Sequence, residues 1–426
     1  MRFTRSIIKT SHQRLSASIA LALVALVYTR AAQSQSGQFE IHGTIALNAQ
    51  DAPAATSWLN GGIGRYIADG DFEPSLQSQI GVHWSSGLAW EALVHLRADT
   101  RGKGGSDLGI VQARLARHFF LANDARVSIT FGQMFLPTSR EAIDPLWQSR
   151  YTLNLSAVNS WIAEEVRPIG INAALQSPAE SEYPWELGVV GFGGNDTAGA
   201  LLAWRGFALH DRLSVFNEHL PLPALSTLAD GGAFAEQNNA GTRPFGRDLD
   251  GKPGFATFAR WGRIDLFQLR GALVDNRGDR GLHRGEYAWD ARFALIGADW
   301  QVHPQVQLAA EWLNGRSGMG RRGGPAVVDI DFDAAYLLAS WSPNDLWRLS
   351  ARWDRFDIQD RDHGPTENNS DHGNAATLTL LWTPISDWRF AAEWNTTDSR
   401  HAAAADLGVN PETGGRSLRI EARYRF

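Results

Sequence analysis

The sequence predicts an all-β chain folded as a transmembrane antiparallel β-barrel. Three features carry that prediction. Segments of about ten residues alternate apolar and polar side chains, tryptophans stand at the ends of the apolar faces, and connections alternate between short and long. The segment Ser417–Phe426, SLRIEARYRF, alternates most strictly. Leu418, Ile420, Ala422, Tyr424 and Phe426 form one face, and Arg419, Glu421, Arg423 and Arg425 the other. Trp347, Leu349, Ala351 and Trp353 stand opposite Arg348, Ser350, Arg352 and Asp354. Trp388, Phe390, Ala392 and Trp394 repeat the pattern against Arg389, Glu393 and Asn395. Leu88–Leu96 and Phe39–Leu47 show the same period of two, in which successive side chains point to opposite faces.

The short connections carry ordinary turn residues, as in Ser85–Gly87, Asn123–Asp124, His303–Pro304, Ser342–Asp345 and Thr383–Asp387. The long ones, at 49–74, 136–165, 220–253, 276–289, 315–330, 358–373 and 397–414, are rich in Gly, Asp, Asn and Arg. Tilted strands of about 9–11 residues cross the hydrocarbon layer. Counting segments gives 18 strands, or 16 if a weak hairpin near 199–219 is lost. An open edge in lipid would cost several kcal/mol for each unpaired backbone group, so the last strand must pair with the first, near Phe39–Asn48. The ring of Phe426 then sits in the aromatic girdle of the periplasmic interface. A soluble propeller or sandwich also has many short strands. It has no need of Trp at both ends of each apolar face, nor of turns sorted by length.

Residues 1–35 read as a secretory signal peptide. Arg2, Arg5, Lys9 and Arg14 precede the apolar run Ile19–Val27, with small residues at Ala31, Ala32 and Ser34. Cleavage is expected between about 31 and 36, leaving residues 36–426 as one barrel domain. The apolar run is well short of the ~20 residues of a spanning helix. Removing five basic and no acidic residues takes the formal charge from −6 to −11. That acidic balance argues against nucleic acid as a partner. Cysteine is absent, so no disulfide crosslinks the exported chain.

The repeat across the mature chain and the terminal RIEARYRF resemble bacterial outer-membrane porins, whose chains close on such a Phe-terminated strand. FGQMFLPTSRE (Phe131–Glu141) is similar to the Gly-Gln-x-x-x-Pro turn of the phosphate-selective porin family. That family lines its path with lysines as well as arginines, whereas only Lys103 and Lys252 remain here after cleavage. The resemblance implies a bacterial outer-membrane channel in contact with outer-membrane lipid. It also implies recognition of Phe426 by the barrel assembly machinery, and a homotrimer.

A barrel of this size encloses water unless something narrows it. The segment Leu136–Glu165 is the candidate constriction loop. It mixes Arg140, Glu141, Asp144, Arg150, Glu164 and Glu165 with the apolar anchors Leu146, Trp147, Tyr151, Leu153 and Trp161, which a loop packed on a wall can bury. The alternative is a loop folded over the outer mouth. Alternation points Arg97, Arg114, Arg292, Arg348, Arg352, Arg389, Arg419 and Arg423 inward, together with Glu91, Glu311, Asp354, Glu393 and Glu421. Guanidinium groups stay charged and fork onto carboxylate or phosphate, so rings of them select anions. The same set equally fits a self-neutralising wall of ion pairs, or a transverse field between a basic wall and an acidic loop.

The sequence has no Gly-x-Ser-x-Gly elbow, no Walker loop and no His-Glu-x-x-His, so no catalytic residues and no cofactor are predicted. His363, His372, Asp362 and Asp371 share one loop, and DLDGKPG (248–254) and VDIDFD (328–333) space carboxylates in a way that hints at calcium. Neither reaches the ligand count of an EF-hand, and no metal is predicted. The functional expectation is passive diffusion of small hydrophilic solutes, anions such as phosphate among them. The alternatives are a general or sugar-type porin, or a barrel that serves an enzyme or adhesin as scaffold.

Overall fold

The computed structural model describes residues 37–426 apart from 102–103, 145, 238–240, 264 and 363–366. The signal segment 1–35, its cleavage region and His363 lie outside the described residues. The strands are β1 Gln38–Asp51, β2 Glu73–Ser86, β3 Trp90–Asp99, β4 Leu108–Phe120, β5 Arg126–Gln133, β6 Ile169–Gln176, β7 Trp185–Gly193, β8 Gly254–Arg263 and β9 Phe267–Asp275. A small hairpin, β10 Leu282–His283 with β11 Glu286–Tyr287, stands apart from the wall. Then follow β12 Asp290–His303, β13 Val306–Gly320, β14 Ala326–Asn344, β15 Trp347–Asp360, β16 Asp371–Ile385, β17 Trp388–His401 and β18 Gly415–Arg425.

Among the described residues, sixteen of these strands form one closed antiparallel barrel in which each pairs with its sequence neighbours and β1 with β18. The count of 18 is thereby corrected to 16. The weak segment near 199–219 forms no strands. Leu201, Leu202, Trp204, Leu209 and Leu213 there are buried on all sides, so no alternation of environments exists for a period of two to follow. Several loops are also shorter than the sequence suggested, since β13 and β14 continue to Gly320 and from Ala326.

The outward face is apolar: Leu47, Val189, Leu273, Leu337 and Ile385 are each more than half exposed. Such a belt, with Trp261, Trp300, Trp341, Trp353 and Trp394 also outward, is unfavourable in water and fitted to lipid. Among the described residues no helix is long and apolar enough to cross a membrane; the strands do so. Closure is completed at Gly43 and Phe426, whose backbones exchange hydrogen bonds of 2.9 and 3.1 Å. The Phe426 ring lies over Gly43, where a Cβ would come within 2.0 Å of it, and beside Tyr424 at 6.2 Å between ring centroids.

A Gly43→Val substitution is expected to push the Phe426 ring off the seam and lower the folded fraction. On unboiled gels, heat-modifiable migration would fall well below wild type; unchanged migration would show that the seam tolerates the clash.

Candidate functional site: the filled lumen

Two long connections turn inward and pack against the barrel wall. The first, residues 134–168 between β5 and β6, carries helix α1 Ala157–Glu165, capped by Ser156 Oγ accepting the Asn159 N–H at 3.1 Å. Its Trp161 is buried edge-on against Phe293 and Phe332, at 4.9 and 5.1 Å. The second, residues 194–253 between β7 and β8, carries the short helix α2 Ala200–Arg205.

Inward charges of the wall hold the first segment. Arg352 on β15 donates to Glu141, to Asp354 at 2.8 Å, and to the carbonyls of Asn154 and Leu155 at 2.7 and 3.0 Å. Glu393 on β17 accepts the N–H groups of Leu153 and Asn154, and Asp354 that of Ala157. Glu311 on β13 accepts from Asn159 Nδ2 at 2.8 Å and from the Arg140 N–H, while the Arg140 guanidinium pairs with Asp299. Gln148 donates to Thr44 on β1 at 3.1 Å and accepts from Arg423 on β18 at 2.6 Å.

The second segment docks on the first. Glu164 takes a forked pair from Arg205 at 2.5 and 2.8 Å and a contact from His210 at 2.6 Å. Burial alone would raise the Glu164 carboxyl, but Arg205 and His210 overcome it and hold the group near 2. Glu165 accepts from Trp161 Nε1 and the N–H groups of Gly199 and Leu201, yet burial prevails and pushes it up to about 7. Arg167 donates to the carbonyls of Val111, Ala163 and Ser214 and lies between the Phe135 and Phe245 rings at 4.4 and 4.6 Å. Asp211 joins Arg101 and Arg419. Arg65 pairs with Asp371 on β16.

The remaining predicted residues fall as follows. Arg97 is buried beside Asp99 and Glu218, each at 3.6 Å. Arg389 and Arg423 converge on Glu421 at 2.8 and 2.7 Å, with Arg419 at 3.4 Å. Arg348 donates to Ser340 at 2.8 Å and lies over the Tyr151 ring. Arg114 faces inward and is partly exposed; Glu91 lies between His83 and His118 at 3.9 and 3.4 Å. Asp144 pairs with Arg150, which stays half exposed. Arg292 is a correction. It shares the outward parity of Ile296 and Trp300, at the loop end of β12, where a charge meets water or head groups rather than hydrocarbon.

Sequence reasoning did not single out Arg65, Arg101, Arg167, Arg205, His210, Asp211 or Glu218. The available signal was the crowding of charged and large apolar residues in 199–219 without a strand period. The inward wall of β6–β9 is largely buried and apolar, with Ala174, Val190, Phe258 and Ala272 in the packed interior, but the rung nearest the short turns is polar, and Arg126, Gln176, Arg260 and Arg270 there are partly exposed. Arg126, Gln176, Glu186, Arg260 and Arg270 are register neighbours there, linked by contacts of 2.6, 2.8 and 3.1 Å along Arg126–Gln176–Glu186–Arg260. A small cavity of about 50 Å³, lined by Asn48, Gln50, Ser75, Thr100, Arg101 and Arg419, has room for a few waters. Of the carboxylate motifs, Asp248 and Asp250 meet Asp196 with oxygens within 4.8 Å, a set able to take a cation though short of the 6–8 oxygens calcium prefers. Burial raises Asp196 to about 7, and Asp250 and Asp248 add to the rise. Asp371 and His372 point to opposite faces of β16 and do not converge.

Two predictions follow from this packing. Arg352→Ala leaves Glu141 and Asp354 buried without their cation and is expected to cost about 3 kcal/mol, read as a lower urea midpoint in detergent. Glu165, raised above its unfolded value, contributes stability that is fully present below about 4.5 and is lost as pH rises through about 7. Glu165→Gln should therefore flatten that part of the pH–stability curve, by on the order of 3 kcal/mol.

No protein-family model matches the sequence, and no curated protein aligns with it significantly. Solved structures do match the fold. The outer-membrane channel DcaP of Acinetobacter baumannii superposes with a TM-score of 0.55 at 9% identity, over 93% of this chain and 99% of that one. OmpF of Salmonella typhi, in complex with daunomycin, gives 0.53 at 9% identity over 93% and 99%. In-vitro folded OmpT, an outer-membrane protein of Vibrio cholerae, gives 0.52 at 11% identity over 93% and 100%. With its lipid-facing belt and closed sixteen-stranded wall, this chain is a β-barrel of the bacterial outer membrane.

Proposed function

We propose that the protein is a porin-type channel for passive diffusion of small hydrophilic solutes, without catalytic activity. The observation that carries this reading is a polar rung of the closed wall left partly exposed beside the inserted segments. The segments 134–168 and 194–253 are held by β15 and β17 and also reach β4 at Val111 and β3 at Arg97, while at the short-turn end of the β5–β9 wall Arg126, Gln176, Arg260 and Arg270 stay partly exposed. Solutes would pass along that wall. Most of the arginines first read as an anion ladder have carboxylate partners, with Arg352 bound to Glu141 and Asp354, and Arg389, Arg419 and Arg423 to Glu421. The charge balance therefore favours a weakly selective path over phosphate selectivity. Trimer assembly, as in one form of Vibrio cholerae OmpT, and recognition of Phe426 by the assembly machinery belong to the same proposal.

Reconstitution in a planar bilayer tests it. Small conductance steps with a reversal potential near zero in a salt gradient are expected. Replacing 197–245 by a short Gly–Ser linker should enlarge the steps several-fold. A strong anion preference with phosphate block would replace the weakly selective reading by the anion ladder. The absence of steps in both proteins would leave the barrel as a scaffold.

A further inference from the structure

At the short-turn end of the wall, the inward face of β1–β4 sets imidazoles and carboxylates side by side. His42 and Glu40 stand on β1, with Nε2 and Oε2 3.6 Å apart, and Glu40 is the register partner of His83 on β2. Glu91 is the second residue of β3, and His118 lies near the end of β4. Glu91 pairs in register with Ser85 on one side and Ala116 on the other, so His83 and His118 are its diagonal neighbours on the same face. Both rings turn a nitrogen to the one carboxylate. His118 Nε2 stands 3.4 Å from Oε1, and His83 Nε2 3.9 Å from Oε2. A Cβ at Gly81 would meet Leu146 of the inserted segment, so the cluster lies between that segment and the short turns.

His118 is the anchored member. Its side chain is 6% exposed, Nδ1 meets Ser128 Oγ on β5 at 2.8 Å, and Nε2 has no hydrogen-bond partner among the described residues. One ring nitrogen fixed by a hydrogen bond, with the other aimed at an acidic ligand, is how proteins orient a metal-binding imidazole. A carboxylate and an imidazole lone pair facing each other repel unless a cation stands between them. The 3.4 Å separation is long beside the about 2.7–2.9 Å of a charge-assisted hydrogen bond. It matches the roughly 3.3–3.5 Å between two ligand atoms bound at about 2.0–2.2 Å to one tetrahedral ion.

We infer that His83, Glu91 and His118 form a binding site for one divalent ion of the zinc or copper type at the short-turn mouth of the barrel. Two imidazole nitrogens and a carboxylate are a donor set that suits Zn²⁺ or Cu²⁺, whereas Ca²⁺ and Mg²⁺ call for oxygen ligands. Glu91 and His83, with side chains 35% and 29% exposed, are free to turn onto an ion held by buried His118, and water completes the shell. Arg114, the other diagonal neighbour of Glu91 on β4, is the rival claimant on the carboxylate. The site requires the closed wall and not conduction, so its failure and that of the channel reading are separable.

The full-length protein, folded in detergent and stripped with a chelator, would be titrated with Zn²⁺ by calorimetry. A sample loaded with one equivalent of Cu²⁺ would be read by electron paramagnetic resonance. Wild type should bind one Zn²⁺ per chain and show hyperfine coupling from two imidazole nitrogens. H83N, E91Q and H118N should each weaken Zn²⁺ binding about tenfold or more while keeping heat-modifiable migration. H303N, on an exposed turn, should leave binding unchanged. No binding by wild type would overturn the assignment and leave Glu91 to Arg114. Undiminished binding by E91Q and H118N would overturn it as well, as uptake by scattered imidazoles such as His42. Coupling from a single nitrogen would overturn the three-residue site.

Discussion

A charge taken out of water must be met by an opposite charge or by oriented dipoles, and the interior of this barrel is arranged around that requirement. Arg352 is the clearest case, with two carboxylates and two backbone carbonyls around one guanidinium. Those carbonyls belong to Asn154 and Leu155, just ahead of α1, so the wall fixes where the helix begins. The helix in turn presents Glu164, which positions Arg205 and His210 and with them the second segment. The filling of the lumen is a chain of dependent contacts that starts from one arginine on the wall.

The two faces of the same strands answer to different solvents. Outward positions exchange lipid for lipid as residues vary, and demand only apolar surface and aromatic ends. Inward positions are specific, because each buried donor needs a particular acceptor at a particular height. Glu421 serves three arginines from two strands, and Arg389, which stands opposite Arg423 in register, reaches it diagonally across β17 and β18, which pair without a shift.

This difference explains what the sequence reveals. The strands β15, β17 and β18 are legible because the lipid face imposes a period of two on Trp347–Trp353, Trp388–Trp394 and Leu418–Phe426. The inward direction of Arg352, Arg389, Arg419 and Arg423 follows from the same period. Their partners do not: Arg352 meets Glu141 across 211 residues, and Arg419 meets Asp211 across 208. Residues 199–219 mislead because a segment surrounded by protein has no favoured face, and its leucines resemble those of a strand. Arg292 misleads because a charge at a strand end above the membrane is tolerated on either face.

The wall is uneven in height. β6 has eight residues and β14 nineteen, which at about 3.4 Å per residue and a tilt of about 40° rise roughly 20 and 50 Å. An apolar band of about 25 Å is therefore overtopped on one flank and barely reached on the other. The bilayer beside β5–β9 must thin or the barrel must lean, at a modest cost for each ångström of mismatch. Two such barrels meeting by their short flanks would share one thinned patch rather than maintain two, so the mismatch would favour contact through that side of the molecule.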